Sequence, residues 1–180
     1  MIVRVKEAYQ DHVRPALKER FEYSNDMAVP TIQKVVVSMG LGKTIAERGR
    51  MDAAKADLAR ITGQQPVVRL AKVSVAQFRL RQGMPIGLMV TLRGDRMYAF
   101  LDRLISVGIP RIRDFRGFRP KLDGTGNYNM GLEDQTIFPE IDLAALEYSQ
   151  GMNVTVVTTA RTDEEGLELL RGLGFPFREK

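Results

Sequence analysis

The stretch Gly87-Leu-Met-Val-Thr-Leu-Arg-Gly-Asp-Arg-Met-Tyr-Ala-Phe-Leu-Asp-Arg-Leu-Ile-Ser-Val-Gly-Ile-Pro110 changes its periodicity part-way along. From Gly87 to Arg93 the residues alternate. Leu88, Val90 and Leu92 fall on one face and Met89, Thr91 and Arg93 on the other, the period of two of a half-covered strand. From Met97 the apolar residues move to Met97, Phe100, Leu101, Leu104 and Ile105, one stripe of an amphipathic helix. Asp95 stands where it can cap that helix, and Gly108 with Pro110 ends it. A strand and a helix that each carry one apolar face bury those faces against each other, which is the layer logic of a mixed fold.

Working outward, Thr31–Met39 is rich in β-branched residues and reads as a strand, as do Gln65–Ala71 and Met152–Thr159. Met51, Ala54, Leu58 and Ile61 follow helical spacing, with Gly63 placed as a C-terminal cap. Thr162-Asp-Glu-Glu165 is a capping box opening a last helix, with Leu167, Leu170 and Leu173 inward and Gly174 at its end. Residues 2–21 read as helical, with Val5, Tyr9, Val13, Ala16 and Leu17 near one face. Pro15 interrupts them at a cost of about 3 kcal/mol, so a kink or two pieces are expected there. The reading is one α+β domain over residues 1–180: a mainly antiparallel sheet with helices packed on one face. It carries a long basic loop, 72–86, closed by Gly83-Met-Pro85. A second segment, 111–139, reads as irregular and rich in Arg and Gly, and such segments are usually functional or mobile.

The uncovered sheet face is expected to carry Lys34, Ser38, Thr91, Arg93, Asn153 and Thr155. Two readings stand: a face that is simply wet, or a nucleic-acid platform whose hydroxyls and amides meet ribose and phosphate while Arg neutralises charge.

Charge separates these readings further. Within a formal +5 for 180 residues, residues 69–121 hold twelve Lys/Arg against three Asp/Glu, and residues 122–180 hold four against eleven. A basic middle concentrates phosphate ligands through counterion release. An acidic last third suits either a basic partner or ordinary solubility.

Other chemistry is poorly supplied. Cys is absent, so disulfides, thiolate zinc sites and Cys nucleophiles are excluded, and the single His, His12, reads as a surface residue. No apolar run approaches a bilayer's thickness, and no signal region opens the chain, so the expected compartment is the cytosol. Gly40-Leu-Gly42-Lys43-Thr44 resembles the end of a phosphate-binding loop, but Val37 stands where its first Gly belongs, and a strand-ending turn accounts for it better. Asp123-Gly-Thr-Gly126 lacks the spaced oxygens of a calcium loop. A carboxylate active site around Asp114 or Asp123 would make the chain an RNA-modifying enzyme, but no cofactor motif supports it, and no cofactor, metal or small-molecule substrate is expected.

Two strings are distinctive. One runs from Ile61-Thr-Gly-Gln-Gln-Pro to Arg-Gln-Gly-Met-Pro-Ile-Gly87. The other is Ile109-Pro-Arg-Ile-Arg-Asp-Phe-Arg-Gly117, followed by Asp123-Gly-Thr-Gly-Asn-Tyr-Asn-Met-Gly131 and Ile137-Phe-Pro-Glu-Ile141. On these motifs, in this order from Tyr9 to Phe177, the chain resembles the bacterial-type large-subunit ribosomal protein five family. The resemblance implies a structural, non-enzymatic constituent of the large subunit, in the cytoplasmic ribosome. It implies binding to 5S rRNA and its attachment to 23S rRNA in the central protuberance. It also implies contacts with peptidyl-site tRNA and with small-subunit ribosomal protein thirteen. Carried over by position, the 5S contacts fall on the open sheet face: Gln64, Thr91 and Arg93 match the family's pattern and Ser38 stands where the family often has Asn, while Lys34, Asn153 and Thr155 are counted with them as residues that alternation places on that face. The tRNA-contacting loop would use Lys72, Ser74, Gln77, Phe78, Arg79 and Arg81. Here the chain departs from the family, which commonly has basic residues at the positions of Leu70 and Val73 and Gly at that of Gln77. The loop is expected to be mobile, with few apolar anchors. Phe78 is expected to be a packing residue that pins the loop base; the alternative is an exposed ring that meets RNA.

Overall fold

The computed structural model describes residues 4–42, 49–142, 146 and 148–178. Five strands form one sheet in the order β2-β3-β1-β5-β4, every pairing antiparallel. They are β1 (Ile32–Gly40), β2 (Val67–Leu70), β3 (Pro85–Leu92), β4 (Tyr128–Leu132) and β5 (Met152–Thr158). The α+β architecture read from the sequence is the one observed.

Alternation does what the sequence asked of it. Val35, Val37 and Met39 of β1, Leu88, Val90 and Leu92 of β3, and Val154 and Val156 of β5 are all buried on one side. Against them pack Leu58 and Ile61 of α3 (Gly49–Thr62), Phe100 and Leu101 of α4 (Gly94–Arg103), and Leu169 and Leu170 of α5 (Asp163–Gly172). Phe100 stacks on Phe138 with ring centroids 5.8 Å apart, a favourable aromatic separation.

The N-terminal segment resolves the Pro15 problem as two pieces, α1 (Arg4–Ala8) and α2 (Arg14–Arg20), joined by a π turn at Tyr9–Val13. Pro15 has no N–H to donate. The backbone widens one turn before it, so that Arg14 N–H reaches Tyr9 O, and Pro15 sits in the first turn of α2 where a donor is not needed. Val13 and Leu17 are buried as expected, but Ala16 is exposed.

Helix ends follow their caps. Gly63 takes φ +66° and donates to Ala59 O at 2.9 Å. Thr162 accepts from Glu165 N at 3.3 Å, while the Glu165 carboxylate turns back to accept from Arg161 N at 2.8 Å. Asp95, expected as a cap, is not one. The chain enters α4 two residues earlier, from Arg93, and Asp95 in the first turn instead binds Lys6 at 2.7 Å.

Residues 111–139 are not irregular throughout. β4 lies within them, with Tyr128, Met130 and Leu132 inward and Asn129 and Gly131 outward. Asn and Gly are poor strand formers, so the propensity signal is weak and pairing with β5 makes the strand. Lys43 and Thr44 of the glycine-rich turn lie outside the described residues.

Candidate nucleic-acid interface

The face opposite the helices is built in rows by the sheet register. One row is Val67, Met89, Ser38, Asn153 and Gly131; the next is Thr91, Val36, Thr155 and Asn129. Continuing the β1–β3 register one step beyond Val35–Leu92 sets Arg93 beside Lys34. On the other side of the first row, Arg69 pairs with Gly87 and Gly87 with Gly40. Gly87 and Gly40 add no side chain to this row, and Arg69 stands at its end. Gly87 is required, since a Cβ on it would lie 2.9 Å from Met39 O.

The structure therefore brings Lys34, Ser38, Thr91, Arg93, Asn153 and Thr155 together on one face. Arg93 and Asn153 are exposed and the others half-buried between their neighbours. Gln64 lies outside the strand rows, in the turn before β2, half-buried, with its backbone N–H and C=O both bonded to the Thr62 hydroxyl. Residue patterning had missed Asn129, Gly131 and Arg69 on this face. Thr155 donates to Asn129 Oδ1 at 2.6 Å, and Asn129 is exposed. The alternation Tyr128, Met130, Leu132 was the signal that could have found β4.

The basic loop is a hairpin. Ala71 N donates to Met84 O at 2.8 Å and Gly83 N to Ala71 O at 2.9 Å. Val75 and Leu80 exchange both backbone bonds at 2.9 and 3.1 Å, and Ser74 Oγ accepts from Gln82 N at 2.9 Å. A 3-10 turn, Ala76–Phe78, forms the tip, and Arg79 closes it in the left-handed region at φ +52°. Ser74 thus spends an acceptor on folding the hairpin. Phe78 does not pin the base: it is 68% exposed, because the tip carries it beyond the reach of the core. Leu70 and Val73 are also exposed, at 57% and 67%. Lys72, Gln77, Arg79 and Arg81 are exposed beside them.

Charge pairing sharpens the picture. Of the twelve cations between Arg69 and Lys121, Arg103 is held by Glu140 and by the carbonyls of Ala99 and Ile61. The other eleven are exposed and make no ion pair among the described residues. Two of the three acids in that stretch are already taken from outside it: Asp95 by Lys6 and, at 3.0 Å, Asp102 by Arg4. The field of the basic middle is therefore hardly offset from within.

The carboxylates considered for catalysis are otherwise engaged or isolated. Asp123 accepts from Asn127 Nδ2 (2.8 Å), from the backbone of Thr125 (2.9 Å) and Asn127 (3.0 Å), and from the Thr125 hydroxyl (2.9 Å). Asn127's amide first, and then these backbone and hydroxyl donors, hold its carboxyl down at about 2. Such a group fixes a turn. Asp114 is exposed at φ +54° in a turn. His12 is exposed, as read from the sequence.

Comparison with known proteins accounts for this combination. Residues 25–81 match the family model for ribosomal protein L5, and residues 85–177 match the model for the C-terminus of the same ribosomal family. The chain belongs to the ribosomal protein L5 family. It is 55% identical over 178 residues to the large ribosomal subunit protein uL5 of Rubrobacter xylanophilus, covering 98% of this chain and 99% of that protein. It is likewise 55% identical over 180 residues to the uL5 of Saccharopolyspora erythraea, covering 99% and 96%. Proteins of the L5 family are structural, so this chain is a non-enzymatic, rRNA-binding constituent of the large ribosomal subunit and works in the cytoplasmic ribosome. The two matched segments meet in the hairpin yet share one sheet, since β1 from the first lies between β3 and β5 from the second.

Proposed function

We propose that this chain holds 5S rRNA on its open sheet face and helps attach it to 23S rRNA in the central protuberance. The hairpin meets peptidyl-site tRNA, and the chain meets small-subunit ribosomal protein thirteen across the subunit interface. The observation that carries this reading is the sheet face itself. Lys34, Thr91, Arg93, Asn153, Thr155 and Asn129 stand in adjacent rows of one face, and a further row sets Arg69 beside the side-chain-free pair Gly87 and Gly40. Small hydroxyls and amides suit 2′-hydroxyl and phosphate contacts, and the adjacent cations release counterions. The acidic last third would face a basic protein.

The test is binding of 5S rRNA against an unrelated RNA as salt is varied. Log affinity should fall by roughly 0.7–0.9 per phosphate neutralised for each unit of log salt. Arg93→Ala should weaken 5S binding by about 1–3 kcal/mol with the fold intact, because an exposed charged hydrogen bond is lost and no core cavity forms. Unchanged 5S affinity in a folded Arg93→Ala protein would place the interface on another face.

A further inference from the structure

Residues Ile112-Arg-Asp-Phe-Arg-Gly-Phe-Arg-Pro120 repeat with a period of three: an apolar residue, an arginine, then a turn-former. The structure gives each position one environment. Ile112, Phe115 and Phe118 are half-buried and packed against the core, while Arg113, Arg116 and Arg119 are exposed. Asp114 and Gly117 take φ of +54° and +90°, and these left-handed turns bring the next apolar side chain back to the core.

The backing is a run of ring contacts and backbone bonds. Phe115 and Phe118 meet edge to face at 4.8 Å, Phe118 reaches Tyr128 at 6.3 Å, and Tyr128 meets Phe177 at 5.3 Å. Phe118 N donates to Pro176 O at 2.8 Å, and Arg178 N to Phe118 O at 2.9 Å. Gly117 is fixed by close approach, since a Cβ there would lie 2.9 Å from Arg178 N. The buried Tyr128 hydroxyl donates to Arg119 O at 3.0 Å.

We propose that Arg113, Arg116 and Arg119 form a second nucleic-acid contact, a phosphate-binding ladder separate from the sheet face and the hairpin. Charge complementarity names the occupant. The three guanidiniums have no ion pair among the described residues, and the acidic last third of the chain, whose backbone touches this segment, supplies none. Guanidinium forks match phosphate oxygens in pairs. A protein partner fits less well, because protein interfaces gather around buried apolar anchors. The apolar members of the ladder point inward, and none of the exposed large hydrophobic side chains lies in 111–121. The ladder therefore offers charge and geometry with no apolar centre, as a backbone-reading RNA contact does.

The experiment uses the full chain and a short RNA duplex of arbitrary sequence. Arg113→Gln, Arg116→Gln and Arg119→Gln together should reduce the salt slope of duplex binding by about 2–3 and low-salt affinity by roughly 10- to 100-fold. The triple Lys variant should keep the slope. Melting should not change in either, since the apolar anchors remain. The loss should persist in an Arg93→Ala background, as separate sites add. A wild-type slope in the triple Gln variant would overturn the proposal, and a loss that vanishes in that background would merge the ladder with the sheet face. Polyglutamate bound as tightly as the duplex, and lost in the same variant, would assign the surface to an acidic protein instead.

Discussion

The hairpin 71–84 and the segment 111–121 are both basic and both carry phenylalanine, yet they stand in opposite relations to the core. In 111–121 the aromatic residues turn inward and the arginines outward, over rings contributed by Tyr128, Phe175 and Phe177. In the hairpin Val73 and Phe78 point outward together with Lys72, Arg79 and Arg81. The difference is one of available partners. The first segment lies over the edge strand β4 and the chain's C-terminal residues, which offer apolar surface. The second projects past the short strand β2, where its backbone pairs with itself and its side chains have nothing to cover. An apolar residue in a basic segment thus anchors the chain in one place and presents itself to a partner in the other.

The largest effect should expose this contrast directly. Tyr128→Ala removes a buried ring at the centre of the aromatic group and the bond to Arg119 O, and should cost about 3–5 kcal/mol of stability. Phe78→Ala removes a ring of the same class and should change stability by less than about 0.5 kcal/mol. Denaturant unfolding measures both, and similar losses would erase the distinction between anchored and presented rings.

A smaller effect concerns binding. Deleting residues 74–80 removes Phe78 and Arg79 but no residue of the sheet rows, so 5S rRNA binding and incorporation into the large subunit should persist. The hold on peptidyl-site tRNA in assembled ribosomes should weaken by about 1–3 kcal/mol, the scale of one stacked base or one charged hydrogen bond. Loss of 5S binding in a still-folded deletion protein would instead put the hairpin in the primary interface.

The smallest effect sharpens the anchored side alone. Asp123 closes the turn that leads from the arginine segment into β4, and its carboxyl is held at about 2 by Asn127 and the neighbouring amides. An unfolded Asp titrates near ~3.9. Its contribution is therefore complete above about pH 4 and is lost as pH falls toward 2. Stability measured across that window should lose part of its acid dependence in Asp123→Asn. Because the carboxylate is exposed, the change should be modest, and an unchanged acid limb would show that the turn does not depend on its charge.

The two periodicities of Gly87–Pro110 determined, without any structure, that a half-covered strand is followed by an amphipathic helix. Composition and charge determined that the middle of the chain is strongly basic, with twelve Lys/Arg against three Asp/Glu in residues 69–121. Local chemistry of this kind survives folding because each pattern is satisfied within its own element. Which residues share the open face is a different matter. Ser38 meets Asn153 and Met89 through register between strands far apart in sequence, and β4, with its Asn and Gly, exists because β5 pairs with it. The fates of Phe78 and Phe118 were likewise undecided locally, since both are rings in basic, irregular chain. Tertiary structure decided them, because burial depends on apolar surface brought up by another part of the chain, and only Phe118 has Tyr128 and Phe177 within reach.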